Sequence, residues 1–311
     1  MRWRWLVRRR LLSAVFVCTG IVCIAAINFP YDVDSPLTED ELEKSRKYYG
    51  EAYRLSGGSD QHSTPEYDAK YLRVAREAAE ACRIHEQVQQ FVIRYGLKNR
   101  PVLEIGSGRG YLQDVAEDYT GMDISPSVSR FYHKRFVLGS ATAMPFPNDS
   151  FDGGWSIWTL EHIPNPEQAL RELRRVMRNN AVLFLLPAWN CTGWAAHGYG
   201  VRPYSDFDLR GKLIKGSIPI LSSWPYRAAA RIPSRAVRDL VSRFGPTRLR
   251  YHRLEPNYKE YWEPDSDAVN GLDRHEVMIW FRSRGDECLN CSGLAGTIFM
   301  RAIPLVIRIR K

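Results

Sequence analysis

The segment Val102-Leu-Glu-Ile-Gly-Ser-Gly-Arg-Gly110 constrains this chain more than any other. Four residues with an apolar bias read as a short strand, and three alternate glycines at 106, 108 and 110 then let the backbone turn where a side chain would collide. Thirteen residues beyond Gly110, Asp123 closes the next apolar run. A carboxylate at a strand end beside a glycine turn is placed to accept both hydroxyls of a ribose. The spacing argues against a nicotinamide dinucleotide, whose Gly-x-Gly-x-x-Gly turn leaves room for a pyrophosphate. In this chain the third glycine comes one residue early, and Glu104 would set a negative charge beside that phosphate. An acidic neighbour suits a cationic ligand without phosphate.

Strands and helices alternate from this point. Strands are expected at Val102–Ile105, Thr120–Ile124, Phe136–Leu138, Phe151–Trp158 and Ala181–Leu186. Helices are expected at Tyr111–Asp118, Ser127–Lys134 and Pro166–Arg178, with a final helix and strand pair within 274–310. Upstream, Leu72, Ala75, Ala79, Cys82, Val88, Phe91, Val92 and Tyr95 keep a roughly helical stripe over Asp68–Tyr95. Such alternation predicts an α/β class, a doubly wound parallel sheet covered on both faces.

The chain resembles the class I S-adenosylmethionine-dependent methyltransferases, with a methyltransferase type 11-like domain. The likeness runs from about Pro101 to Pro187 and rests on six segments: Glu104–Gly110, Gly121–Ser125, Ala141–Pro147, Ser150–Asp152, Leu160–Pro164 and Leu170–Val176. It implies a Rossmann-like seven-stranded sheet and S-adenosyl-L-methionine as cofactor, contacted by Glu104, Gly106, Gly108 and Asp123, with Ser107 and Gly110 in the same turn. Met122 or Ile124 would pack on the adenine, and Ser140 and Ala141 would lie at its edge. Three departures stand out. Ser140 replaces a common acidic residue, Asn179-Asn180-Ala181 replaces a Gly-Gly turn, and Gly153-Gly154 occupies the fourth strand. Asparagine tolerates positive φ, so the turn is expected to survive.

His162, just past the fourth strand, falls on the rim where open α/β sheets bind ligands, with Glu161 beside it. They are the catalytic candidates: a hydroxyl acceptor profits from a general base, although the pair could equally orient its loop. His197 and Tyr204 are weaker candidates. The chain reads Ser156-Ile-Trp-Thr159 where the family's amide- and nucleobase-amine methylases carry Asn/Asp-Pro-Pro-Tyr/Phe. An oxygen or carbon acceptor on a small, glycan or lipid-linked molecule is therefore expected, a non-catalytic module docking partners at a membrane being the alternative.

Charge and hydropathy bear on location. Arg2, Arg4, Arg8, Arg9 and Arg10 precede the uncharged run Leu11–Ile27, with Trp3 and Trp5 among them. These features favour a single-pass N-terminal membrane anchor over a cleaved signal. The arginines point to a cytosolic N-terminus, and the acidic residues after the run would place the domain on the far side. Cofactor supply favours the cytosol, whereas three sequons at Asn148, Asn190 and Asn290 are compatible with a secretory lumen. Between Gly198 and Arg253 twelve Lys or Arg face three Asp, an excess equal to the net charge of +9 for the whole chain. Val237, Leu240, Val241 and Phe244 stand at helical spacing there, which reads either as a membrane-facing surface or as a basic helix packed by its apolar stripe. No nucleic-acid module accompanies the charge, so no nucleic-acid partner is expected. Cys288 and Cys291 form a lone CxxC, expected as free thiols and not as a metal site. The organisation expected is an anchor at 1–27, a tether at 28–65 and a methyltransferase domain at 66–311. Within the domain, 97–187 is the cofactor half, 188–270 the substrate insertion and 271–311 the final helix and strand pair.

Overall fold

A computed structural model of the chain describes residues 2–36, 38–55, 70–299 and 303–311. Its centre is a seven-stranded sheet. The strands are β1 (Val102–Ile105), β2 (Tyr119–Asp123), β3 (Arg135–Leu138), β4 (Phe151–Ile157), β5 (Met177–Leu186), β6 (Glu287–Cys288) and β7 (Leu305–Arg308), in the order β3-β2-β1-β4-β5-β7-β6. The first five run parallel, and β7 is antiparallel to β5 and β6. Every residue of β1 is buried, as a strand covered on both faces requires. The sheet order reverses between β1 and β4, and this switch point places the ends of both strands beside the glycine turn.

The helices over the sheet are α3 (Lys70–Ala81), α4 (Ile84–Arg94), α5 (Pro166–Val176) and, later in the chain, Arg274–Arg282. One core forms between α4 and the sheet around Val88, Phe91, Leu97, Val102 and Trp155. The other lies beneath α5 and Arg274–Arg282, around Leu103, Leu170, Leu173, Ile279 and Leu305. The expected helix 68–95 is broken, because Arg83 adopts the left-handed conformation. Leu72, Val88, Phe91 and Val92 of the expected stripe are buried, Ile84 joins them, and Cys82 beside the break is exposed. Residues 68 and 69 lie outside the described set.

The helices expected at 111–118 and 127–134 are not α-helical. Short 3-10 turns, Gln113–Val115 and Pro126–Phe131, stand in their place. The connections that hold them, 106–118 and 124–134, carry no α-helix among the described residues. The other departures hold locally. Asn180 takes φ 70, so the turn into the inner part of β5 survives without glycine. A Cβ at Gly154 would stand 2.6 Å from the Leu103 carbonyl oxygen, which explains a glycine in the middle of β4.

Two readings of the flanks change. Residues 28–36 do not form a free tether. Asp32 and Tyr251 exchange backbone hydrogen bonds of 3.2 Å each way, and Asn165 donates to the Ser35 carbonyl. Asp34 accepts from the Gln168 amide at 2.8 Å, capping α5 from across the molecule, while Asn165 at the cap position makes no such bond. Next comes a helix, α2 (Glu39–Leu55), which packs on the turn 126–131; the expected tether residues 56–65 are not described. The N-terminal helix α1 (Arg2–Ile27) includes Arg8–Ile27, long and apolar enough to cross a membrane and almost wholly exposed, a composition it shares with signal sequences. The side chains of Trp3 and Trp5 lie outside the described residues.

In the insertion, α6 (Leu209–Leu221) and α7 (Trp224–Ser242) pack on each other, and α7 also packs on α8 (Arg274–Arg282) and on α1. Of the two readings of the basic helix, packing by its apolar stripe is not the one the structure adopts. Arg235 makes two hydrogen bonds to Asp273, at 2.8 and 3.0 Å, and Arg238 two to Glu276, at 2.7 and 2.8 Å. Both arginines are buried, while Val237, Leu240, Val241 and Phe244 face outward. The two carboxylates of the α8 start select the arginine face for burial. Cys288 and Cys291, expected as thiols, are joined in a disulfide across a turn that holds their Cα atoms 5.5 Å apart.

Candidate active site

The chain ends of β1, β2 and β4 open onto two cavities. The smaller, about 90 Å³, is lined by Ile105, Gly106, Met122, Asp123, Ile124 and Gly139 to Thr142. The larger, about 1120 Å³, takes in Glu104, Ser107, Gly108 and Gly110 on one side and Ala75, Ala78 and Ala79 of α3 on the other. Gly106, Tyr53, Trp158 and His162 line both. All ten residues expected around the cofactor therefore line one cavity or the other.

The glycines act on the protein as much as on any ligand. Gly106 has φ +68, and a Cβ there would fall within the Thr159 side chain; at Gly108, φ +49, it would stand 2.8 Å from the Tyr53 hydroxyl. The turn is pinned to Asp123, whose Oδ2 accepts from the Gly108 amide at 2.9 Å while Oδ1 accepts from the Ser125 amide at 2.9 Å. Burial raises the Asp123 pKa. Asp123 lines the smaller cavity, where a carboxylate can accept from the hydroxyls of a ribose. Glu104 is buried, accepts from the Tyr119 hydroxyl at 2.5 Å, and is pushed up to about 8 by burial. A cation beside it would relieve that cost.

His162 sits where the cavities meet. Its Nδ1 lies 3.4 Å from the Asp267 carbonyl oxygen and 3.6 Å from Asp267 Oδ2. Asp267 is in turn fixed by Tyr49 of α2, whose hydroxyl donates at 2.8 Å and whose ring meets the imidazole edge-on. Glu161 lies behind, wholly buried, with Oε1 accepting from the Ala188 amide at 2.9 Å and standing 3.9 Å from His162 Nε2. Burial alone would lower the His162 pKa, but Asp267, Glu161 and Asp265 together hold it above its ordinary value of 6.5. Burial pushes Glu161 up to about 7.

Of the two catalytic candidates, only His162 lines the cavities. His197 and Tyr204 are exposed and line neither. Sequence reasoning missed Tyr49, Tyr53, Trp158, Asp265 and Asp267. Trp158 carried a usable signal, a bulky residue directly after a strand; it takes φ 47, a costly left-handed conformation for its type, between the two cavities. The tyrosines, four apart on a helix, and the carboxylates of 265–267 stand too far from the glycine turn in sequence to be linked to it.

A family profile described as "Methyltransferase domain" matches residues 103–185, spanning β1 to β5. The chain carries a class I methyltransferase domain. Among curated relatives that this chain resembles, a fatty-acid O-methyltransferase of Mycolicibacterium smegmatis is 25% identical over 53% of this chain and 66% of its own length. A sterol 4-C-methyltransferase of Caenorhabditis elegans is 26% identical over 45% and 46%. A ubiquinone/menaquinone biosynthesis C-methyltransferase of Hahella chejuensis is 35% identical over 25% and 32%. The chain thus spans between a third and two thirds of the length of these relatives. The cofactor of the methyltransferase domain is S-adenosylmethionine, and the residues present fit it: glycines that deny a Cβ, a buried carboxylate on the cavity wall, and Glu104 held at a raised pKa.

Proposed function

We propose that this protein methylates an oxygen or carbon atom of a lipid-type acceptor, with His162 as general base. The observation that carries this reading is the position of His162 on the shared wall of the two cavities, its Nδ1 held by Asp267. With Nδ1 protonated toward Asp267, Nε2 keeps a lone pair for the acceptor's proton. Asp267 and Glu161 are positioning residues: both are buried, and they favour the imidazolium that forms. Tyr49 locks Asp267 in place. Bound S-adenosylmethionine supplies an electrophilic methyl group on a sulfonium. Glu104, Gly106, Ser107, Gly108 and Gly110 would hold its charged end, Asp123 its ribose, and Met122, Ile124, Ser140 and Ala141 its adenine.

Acceptor size follows from the larger cavity, whose α3 wall sets Leu72, Val74, Ala75, Ala78 and Ala79 beside Arg76 and Glu80, an amphipathic lining. The names of the curated relatives, which act on fatty acids, sterols and quinones, support a lipid-type acceptor. On this reading α1 is a membrane anchor that keeps the domain near such acceptors.

The test incubates the full chain in nanodiscs with methyl-labelled cofactor and fractionated lipid extracts. Label should enter a lipid fraction, and His162→Gln should reduce the rate by about 10²–10⁴-fold with cofactor affinity unchanged. Absence of label from every lipid fraction, or full activity in His162→Gln, would overturn the proposal.

A further inference from the structure

The surface of α6 and α7 inverts the usual order of a soluble protein. Along α7 the residues turned to the domain are polar or charged: Ser234, Arg235, Arg238, Asp239 and Ser242 are buried. The residues turned to solvent are apolar, with Val237 56%, Leu240 56%, Val241 48% and Phe244 85% exposed. Trp224, at the start of the same helix, is 79% exposed, and Leu209, Leu213 and Ile220 continue the apolar surface onto α6. A helix that buries its ion pairs and exposes its stripe is built to meet an apolar phase on its outer side.

Two further observations say which phase. The first is continuity: α1, with its exposed apolar span, packs on α7, and Asn28 at its end donates to the Tyr226 hydroxyl at 2.9 Å. The second is charge. Arg210, Lys212, Arg227 and Arg248 are exposed among these apolar side chains, whereas Asp239 is spent on Arg243 and Arg282. Interleaved basic and apolar side chains match an anionic bilayer, whose headgroups neutralise the arginines while the chains take the apolar stripe.

We propose that the outer face of α6 and α7 is a membrane-docking surface that seats the catalytic domain on an anionic bilayer beside its own anchor. This deepens the proposed function and rests on α1 being a membrane anchor, so the experiment reads the two separately. A benzophenone amino acid replaces Phe16 in α1, Phe244 just past the end of α7, or Glu117 in the exposed turn before β2. All three positions are exposed, so packing is untouched. The full-length variants, reconstituted in vesicles of phosphatidylcholine with phosphatidylglycerol, are irradiated and analysed for lipid adducts. Position 244 should form several-fold more adduct than position 117, and the excess should fall in vesicles of phosphatidylcholine alone. Adducts at 16 but only background at 244 would overturn the docking surface and leave the anchor standing. Background at both would overturn both. Adducts from 244 to a second copy of the chain would make this face a protein interface instead, and equal lipid adducts in neutral vesicles would overturn the anionic partner.

Discussion

At the scale of single residues, the pair His162–Asp267 is the most exposed to test. Burial works against the charge on His162, and the carboxylates of Asp267, Glu161 and Asp265 outweigh it, so the imidazole stays protonated to a pH above its ordinary value of 6.5. A base must be neutral, so kcat/KM should rise with pH through that raised pKa. Asp267→Asn removes the foremost attraction and should move the rising limb to lower pH, with a lower plateau. An unmoved limb would sink the pairing. The sign for stability is opposite: protonated His162 among carboxylates stabilises the fold at low pH, and this contribution is lost as pH rises through the raised pKa. Asp123 offers a second test. Its carboxylate already holds the Gly108 amide, so Asp123→Ala should weaken cofactor binding both directly and by loosening the turn. A loss of roughly 10–100-fold, the value of a charged hydrogen bond, is expected by titration calorimetry. His162 and Asp123 were legible in the sequence because each follows a recognisable strand. Asp267, about a hundred residues from His162, was not, because nothing local marks a loop carboxylate as a partner.

At the scale of elements, α7 shows what periodicity can and cannot say. The spacing of Val237, Leu240, Val241 and Phe244 established an amphipathic helix, but which face turned inward depended on Asp273 and Glu276, on another element. Buried arginines read from sequence as surface ones. Replacing Arg238 by Met should be costly because Glu276 would remain buried without its partner. A loss of about 3–5 kcal/mol is expected, a fall in Tm on the order of 10 °C. The double variant Arg238→Met with Glu276→Leu should recover most of it, and failure to recover would show that the two side chains do more than neutralise each other. The short 3-10 turns after β1 and β2 teach a related lesson. Alternation with strands suggested a helix over 111–118, yet the chain there forms only the turn Gln113–Val115.

At the scale of the molecule, the strap 28–36 ties α1 to the catalytic end of the sheet. Turn-rich, acidic sequence looked like slack; its carboxylates instead reach α5 and the chain at 251–253, partners far along the sequence. Asp34→Ala should cost about 1 kcal/mol, as loss of a helix N-cap does, and should speed hydrogen exchange at the Gln168 amide. Unchanged exchange there would show that the strap does not hold α5. With α1 read as a span, the strap also makes its tilt matter. Helices tilt to match the thickness of the bilayer they cross. Because the strap leaves so little play between span and sheet, a thinner or thicker bilayer would swing the catalytic end like a lever about its pivot, and lipid chain length would set how the acceptor cavity meets the membrane.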